Sequence, residues 1–155
     1  MENVVLLLNM IRTPMDNYTC TKKYDNLPFA HRQHKHEGHC SRIHGHSWAF
    51  EFTFSAPELD HRGFVVDFGS LKWLKAWIND HFDHTLVLNR DDPRLEEIVE
   101  MDIADVILVD SCSSEGIAKF LYENIAPEIS RTTNARLVKV VVHEDTKNSA
   151  QLVYV

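Results

Sequence analysis

Residues 44–54 read HGHSWAFEFTF, and this stretch decides the fold. From Trp48 to Phe54 every second residue is aromatic, and this period of two predicts a half-buried β-strand. His44 and His46 share the parity of the aromatic residues, so their rings are expected on the same face of the strand. A histidine pair on a packed face needs partners for its ring nitrogens, and a metal ion supplies them where phenylalanines cannot.

The segment at residues 31–46 holds six of the ten histidines in the chain, which indicates a metal site. Imidazole is a common zinc ligand, and a catalytic zinc ion typically has three protein ligands. We predict that His31 is the third ligand beside His44 and His46. The other three histidines of this segment lie in a polar run and are expected to be solvated loop residues.

Cys40 and the pair Asp83 and His84 are candidates for proton transfer. A thiol beside a dication favours its thiolate form, which can act as a base or nucleophile. Cys40 could instead be a fourth zinc ligand or a buried loop cysteine. Asp83 can orient the imidazole of His84 as a proton shuttle, although the two residues could also be ordinary polar residues at a helix end.

Glu144 is expected at the end of an apolar strand. A carboxylate there can accept two parallel hydrogen bonds from the planar N–H edge of a pterin or guanine ring. Otherwise Glu144 only marks the solvated end of the strand. Glu115 is expected in the first turn of a helix, where a negative charge favours the helix dipole.

The predicted elements extend from this strand in both directions. Strands are expected at residues 18–24, 44–55, 64–66, 137–144 and 151–155, with a short extended segment at residues 85–89 and a connecting strand at residues 106–109. The first main helix is expected at residues 68–82, and the second begins near residue 113 and weakens at Pro127. This order predicts an α+β fold with an antiparallel four-stranded sheet and two main helices packed on one face. Exposed sheet edges favour oligomerisation.

The 155-residue chain is expected to be a single domain, residues 16–155, with an N-terminal extension at residues 1–15. Its net charge of -7 argues against a nucleic-acid partner. Three cysteines without regular spacing favour a reducing, cytoplasmic location over a disulfide framework. The apolar run at residues 4–8 is too short to span a membrane and is not expected to be a signal peptide.

Six short motifs resemble the 6-pyruvoyltetrahydropterin synthase family in order and approximate spacing. They are FAHR at 29–32, CSRIHGH at 40–46, VDF at 66–68, FDH at 82–84, SSE at 113–115 and HE at 143–144. The resemblance covers roughly residues 18–155. It implies the tunnelling fold (T-fold), in which trimers close a barrel and pair into hexamers with active sites between subunits.

The resemblance also implies roles for individual residues. The implied zinc ligands are His31, His44 and His46. The implied catalytic residues are Cys40, Asp83 and His84. The implied pterin anchor is Glu144, in a pocket lined by Ser113, Ser114 and Glu115.

Within this family, the three residues between Cys40 and His44 resemble the bacterial 6-carboxytetrahydropterin synthases of queuosine biosynthesis. The implied reaction is conversion of 7,8-dihydroneopterin triphosphate into 6-carboxy-5,6,7,8-tetrahydropterin, acetaldehyde and triphosphate. Alternatives are a reaction that stops at 6-pyruvoyltetrahydropterin, a zinc-stabilised pterin or purine-binding module without chemistry, and a structural zinc site. Arg32, Lys35 and Arg42 are the nearest basic residues that could hold the triphosphate.

Overall fold

The computed structural model describes residues 17–154. The predicted N-terminal extension, including the apolar run at residues 4–8, lies outside the described residues. Within the described part, no helix has both the length and the apolar character that crossing a membrane would require.

One mixed sheet of six strands forms the centre of the fold. The strands are β1 Tyr18–His31, β2 His44–Ala56, β3 Thr85–Asn89, β4 Asp105–Val109, β5 Arg136–His143 and β6 Ser149–Val153. Their order across the sheet is β4-β3-β1-β2-β5-β6. The pairs β1/β2, β2/β5 and β5/β6 are antiparallel, whereas β1/β3 and β3/β4 are parallel.

Three helices accompany the sheet: α1 Lys72–Phe82, α2 Leu95–Glu100 and α3 Ser114–Thr132. The aromatic residues that alternate along β2 are fully buried, which confirms the predicted strand and its inner face. Apolar residues of α1 and α3 share one core cluster with them, so the two main helices cover this face of the sheet. The members of that cluster with no exposed surface include Trp48, Phe50, Phe52, Phe54, Leu74, Ile78, Phe82, Ile117, Leu121 and Ile125.

The α+β class is confirmed, but the number of strands is six rather than four. The expected extended segments at residues 85–89 and 106–109 join the sheet as β3 and β4: β3 pairs in parallel with the last residues of β1, and β4 pairs in parallel with β3. The expected strand at residues 64–66 does not form, and Phe64 is 44% exposed. The edge of β2 is occupied instead by β5, which carries a longer apolar run and so buries more surface there.

Helix α3 continues through Pro127 to Thr132, beyond the point where the sequence predicted a weaker helix. A proline removes one intrahelical hydrogen bond. Ile125 and Ile129, on either side of Pro127, are both fully buried, and their burial offsets that loss.

Candidate metal centre and active-site cavity

Antiparallel pairing of the first two strands positions the three predicted zinc ligands. His31 is the last residue of β1 and lies directly opposite His44, the first residue of β2. His46, two residues along β2, lies opposite Phe29. One ligand atom from each histidine lies within 4.8 Å of the others. The structure therefore brings His31, His44 and His46 together at one end of the β1–β2 pair.

Trp48 packs against the base of this group. Its ring lies edge-on to His31 and His46, with centroid distances of 4.9 and 5.3 Å. The indole Nε1–H donates a hydrogen bond of 3.1 Å to the carbonyl of Phe29. Because Trp48 is fully buried, the aromatic face of β2 continues directly into the histidine group and holds its rings.

Two backbone carbonyls determine which nitrogens of the histidines carry a proton. Nδ1–H of His31 donates to the carbonyl of Cys112, and Nδ1–H of His44 donates to the carbonyl of Arg42, each at 2.8 Å. A carbonyl oxygen only accepts, so in the neutral rings each Nε2 carries a lone pair. These two Nε2 atoms lie 3.1 Å apart. Two facing lone pairs repel each other unless a cation lies between them.

The third ring shows the same need for a partner. Nε2 of His46 is buried and makes no hydrogen bond within the described part of the chain, although Oε1 of Glu144 lies 3.2 Å away. The distance is short enough for a hydrogen bond, but the angles are unsuitable, so we treat this nitrogen as unpaired. Burial lowers the pKa of His31, which favours the neutral form that binds metals.

These observations fit a zinc ion. Three imidazole nitrogens are the donor set of several catalytic zinc sites, and hydrogen bonds from the opposite ring nitrogens to carbonyls are the usual support for such ligands. Among residues 17–154, no cysteine or carboxylate belongs to the same group of ligand atoms. Cys40 is therefore placed beside the histidines and not among them.

Two of the three histidines, His31 and His44, line a cavity of about 480 Å³. Cys40, in a short turn at His39–Ser41, lines it. The other predicted residues that line the same cavity are His31, His44, Ser113, Ser114, Glu115 and Glu144. The candidate pterin pocket and the candidate nucleophile thus share one cavity with the metal group.

The pterin-pocket residues lie where β5 ends and α3 begins. Glu144 follows the last residue of β5, and its Oε2 accepts a hydrogen bond of 3.2 Å from the hydroxyl of Ser114. The hydroxyl of Ser113 caps α3 by accepting from the amide of Gly116 at 3.1 Å. Glu115 is exposed in the first turn of α3, as predicted.

Several residues of this cavity were not in the predicted set. They are Gln33, His36, Asn148, Ser149 and Ala150. His36 is exposed in the loop, as expected, and also lines the cavity, where its Nδ1 accepts from the amide of Gly38 at 2.8 Å. The interpretation as a solvated loop residue was wrong for His34, whose side chain is only 8% exposed and whose Nδ1 lies 3.3 Å from Nδ2 of Asn89. The histidine-rich composition was the available signal. The loop before β6 carries no comparable signal in its residue types.

Asp83 and His84 form a pair as expected, but His84 lines a different cavity from the one that Cys40 lines. Nδ1 of His84 lies 2.6 Å from Oδ1 of Asp83, and the side chains are 81% and 50% exposed. His84 has a φ of 58°, and its amide donates to the carbonyl of Pro28 at 2.8 Å. It lines a second cavity, of about 550 Å³, together with Arg42. Within one chain, the pair is therefore not brought into the cavity of Cys40.

The three basic residues near the site have different surroundings. Arg32 binds both oxygens of Asp92, at 2.6 and 3.0 Å, and the carbonyl of Ser41 at 3.1 Å, so its guanidinium already has partners. Lys35 lines the cavity of Cys40 and pairs with exposed Asp91 at 2.6 Å. Arg42 lines the second cavity. Of the three, only Lys35 lies in the cavity that holds the metal group.

The fold and the site together define a T-fold protein with a three-histidine group at the end of its first two strands. Residues 19–153 match the family model for 6-pyruvoyl tetrahydropterin synthase, and the chain belongs to this family. The family resemblance inferred from the sequence motifs is thereby confirmed.

Known relatives agree with this assignment. A 6-carboxy-5,6,7,8-tetrahydropterin synthase from Rickettsia conorii is 30% identical over 128 residues, which cover 81% of this chain and 92% of the relative. The enzyme of the same name from Bacillus subtilis is 31% identical over 108 residues, which cover 69% of this chain and 65% of that enzyme.

Solved structures show the same fold at lower sequence identity. An uncharacterized protein from Wolinella succinogenes aligns with a TM-score of 0.79 at 22% identity, covering 90% of this chain and 99% of that one. The 6-pyruvoyl tetrahydropterin synthase of Caenorhabditis elegans aligns with a TM-score of 0.64 at 22% identity, and the alignment covers 91% of this chain and 98% of that one.

Proposed function

We propose that this chain is a zinc-dependent 6-carboxy-5,6,7,8-tetrahydropterin synthase of queuosine biosynthesis. Its substrate would be 7,8-dihydroneopterin triphosphate, and its products 6-carboxytetrahydropterin, acetaldehyde and triphosphate. The observation that carries the proposal is the convergence of three imidazole nitrogens, two of whose rings, His31 and His44, line one cavity with Cys40 and Glu144. The names of the bacterial relatives support this reaction over the other reactions of the family.

His31, His44 and His46 would hold the zinc ion. A zinc ion bound there would supply Lewis-acid chemistry, which stabilises negative charge as it develops on substrate oxygens. The chain's own contribution is to keep the three rings neutral and oriented through the carbonyls of Cys112 and Arg42.

Glu144 would orient the pterin ring. Its carboxylate can accept two parallel hydrogen bonds from the amino group and ring N–H of a pterin, which fixes the plane of the ring. The hydroxyl of Ser114 already holds one of its oxygens. Ser113 and Glu115, at the beginning of α3, would line the edge of this pocket.

Cys40 would remove a proton from the substrate side chain as a thiolate. His84, oriented by Asp83, would transfer a second proton to or from the substrate side chain. The triphosphate would leave by elimination with its electron pair. Hydrolytic cleavage of the carbon–carbon bond would then place hydroxyl on the carbon that remains on the ring and hydrogen on the departing acetaldehyde.

The separation of Cys40 from His84 bears on how this site is assembled. The two side chains open into different cavities of one chain. We therefore propose that the chain assembles as a trimer or a dimer of trimers, and that Asp83 and His84 of one subunit serve Cys40 of its neighbour. The exposure of the pair leaves it available for such a contact.

The test is incubation of zinc-loaded protein with 7,8-dihydroneopterin triphosphate, followed by mass analysis of the pterin and an assay for acetaldehyde. We expect equal amounts of 6-carboxytetrahydropterin and acetaldehyde. Accumulation of 6-pyruvoyltetrahydropterin without acetaldehyde would overturn the carbon–carbon cleavage. Unchanged substrate with a full complement of zinc would instead indicate a binding module.

A further inference from the structure

Behind the histidine group lies a buried side chain that the proposed reaction does not use. Asn89 is the last residue of β3 and is only 4% exposed. Its Oδ1 accepts a hydrogen bond of 2.7 Å from the backbone amide of Cys112. A buried amide without such an acceptor would be costly, so this contact holds the peptide group between Ser111 and Cys112 in place.

The same residue orients a candidate metal ligand through its other backbone group. The carbonyl of Cys112 accepts from Nδ1–H of His31 at 2.8 Å. The Cys112 thiol, which is fully buried, donates to the carbonyl of Arg32 at 2.9 Å. Residue 112 is thus attached to the end of β1 through its carbonyl and its thiol, and to the end of β3 through its amide.

The other end of the Asn89 side chain is also held. Its Nδ2 lies 3.3 Å from Nδ1 of His34, whose side chain is 8% exposed. Because Nδ2 can only donate, this contact assigns the amide nitrogen to His34 and the oxygen to Cys112. The orientation of Asn89 therefore has support at both ends.

We propose that Asn89 is a positioning residue for the metal centre and acts on His31 through the backbone of Cys112. The inference rests on the proposed metal binding of the histidine group. Asn89 holds the amide of Cys112, and this fixes the residue whose carbonyl keeps the proton of His31 on Nδ1 and the Nε2 lone pair directed toward the metal. Groups that bond a metal ligand directly typically change the metal affinity about 10- to 100-fold when removed, and Asn89, one contact farther out, is expected to act at the lower end of that range.

The experiment compares zinc affinity in the wild type, Asn89→Ala and Asn89→Asp. Asn89→Ala removes the acceptor, and we expect zinc to bind about 10-fold more weakly, the lower end of the range for groups that bond a ligand directly. Asn89→Asp retains an oxygen acceptor, so its affinity should return to within a few fold of the wild type. Thr53→Ala is the matched control because it removes a buried polar contact, to Thr21, farther along β2. We expect unchanged affinity in that control.

Two spectroscopic measurements separate positioning from a general loss of stability. The visible spectrum of the cobalt-loaded protein should change in Asn89→Ala and not in Thr53→Ala. In metal-free protein, the nuclear magnetic resonance signal of the His31 Nδ1–H should exchange faster with water in Asn89→Ala. Asn89→Ser, which is also too short to reach the amide, replaces Asn89→Ala if that variant does not fold.

The outcomes distinguish this inference from the proposed function. Equal zinc affinity, cobalt spectrum and Nδ1–H exchange in Asn89→Ala and wild type would overturn the role of Asn89 while leaving the enzyme proposal intact. Failure of the wild type to bind zinc would overturn the proposed function, and the Nδ1–H measurement would still decide whether Asn89 orients His31.

Discussion

Nε2 of His31 and Nε2 of His44 face each other at 3.1 Å, although the opposite nitrogen of each ring already donates to a carbonyl. The cross-strand pairing of these two residues at the end of the β1–β2 pair produces this contact. Two neutral rings in this arrangement have no proton to share. This contact is therefore the feature of the fold that most directly indicates a cation site.

Removal of one histidine ligand should abolish tight zinc binding. We expect His44→Ala to reduce the zinc content from one ion per chain to a trace, because two neutral imidazoles hold the ion far less tightly than three. Metal analysis after dialysis measures this. His61→Ala, at an exposed loop position, is the control and should retain its zinc. Full zinc content in His44→Ala would contradict the assignment.

The stability of the metal-free protein should fall as the pH is lowered. Burial lowers the pKa of His31, so below the ordinary histidine pKa the unfolded chain binds a proton that the folded chain does not. This destabilising contribution of His31 is absent at alkaline pH and grows as the pH falls through about 6.5. Urea unfolding in the presence of a chelator should show it. The free energy of unfolding should depend less steeply on pH in His31→Gln than in the wild type. An equal dependence in the two proteins would contradict the prediction.

Loss of the Cys40 thiol should stop catalysis without releasing zinc. We expect Cys40→Ala to lower turnover by about 10²- to 10⁴-fold, the usual effect of removing a proton-transfer group. Its zinc content should equal that of the wild type, because Cys40 is not among the grouped ligand atoms. Cys20→Ala is the cysteine control. Loss of zinc from Cys40→Ala would indicate instead that the thiol is a metal ligand.

Subunit mixing tests the shared active site. Cys40→Ala and His84→Ala should each be inactive, and co-expression of the two should restore part of the activity because some sites then combine intact residues from two chains. A mixture of Asp83→Ala with His84→Ala should stay inactive, since every site lacks an intact pair. Absence of recovery in the first mixture would contradict a site shared between subunits.

The ion pair between Arg32 and Asp92 should be important for stability. The carboxylate of Asp92 is fully buried and the Arg32 side chain is 14% exposed. Asp92→Ala leaves the guanidinium without its partner, and we expect a loss of ~3–5 kcal/mol in the free energy of unfolding. Urea unfolding measures this. Glu97→Ala, which breaks the exposed pair with Arg94, should change stability little.

Much of the fold could be predicted because its local patterns are strong. The aromatic alternation of β2 and the helical spacing around Leu74 and Ile78 specified both the elements and their buried faces. The pairing of β3 with β1 and of β4 with β3 could not be predicted in this way. Parallel pairing joins segments distant in sequence, and the short apolar runs at residues 85–89 and 105–109 are equally compatible with isolated connections.

By itself, the sequence determined the family, the central strand and the identity of the three grouped histidines, because spacing and residue type carry that information. Only the tertiary structure decided that the lone pairs of His31 and His44 face each other, since the carbonyls of Cys112 and Arg42 orient those rings. A backbone carbonyl is present at every residue and leaves no signature in the sequence. The separation of His84 from Cys40 was likewise decided by the paths of the backbone, which residue types do not record.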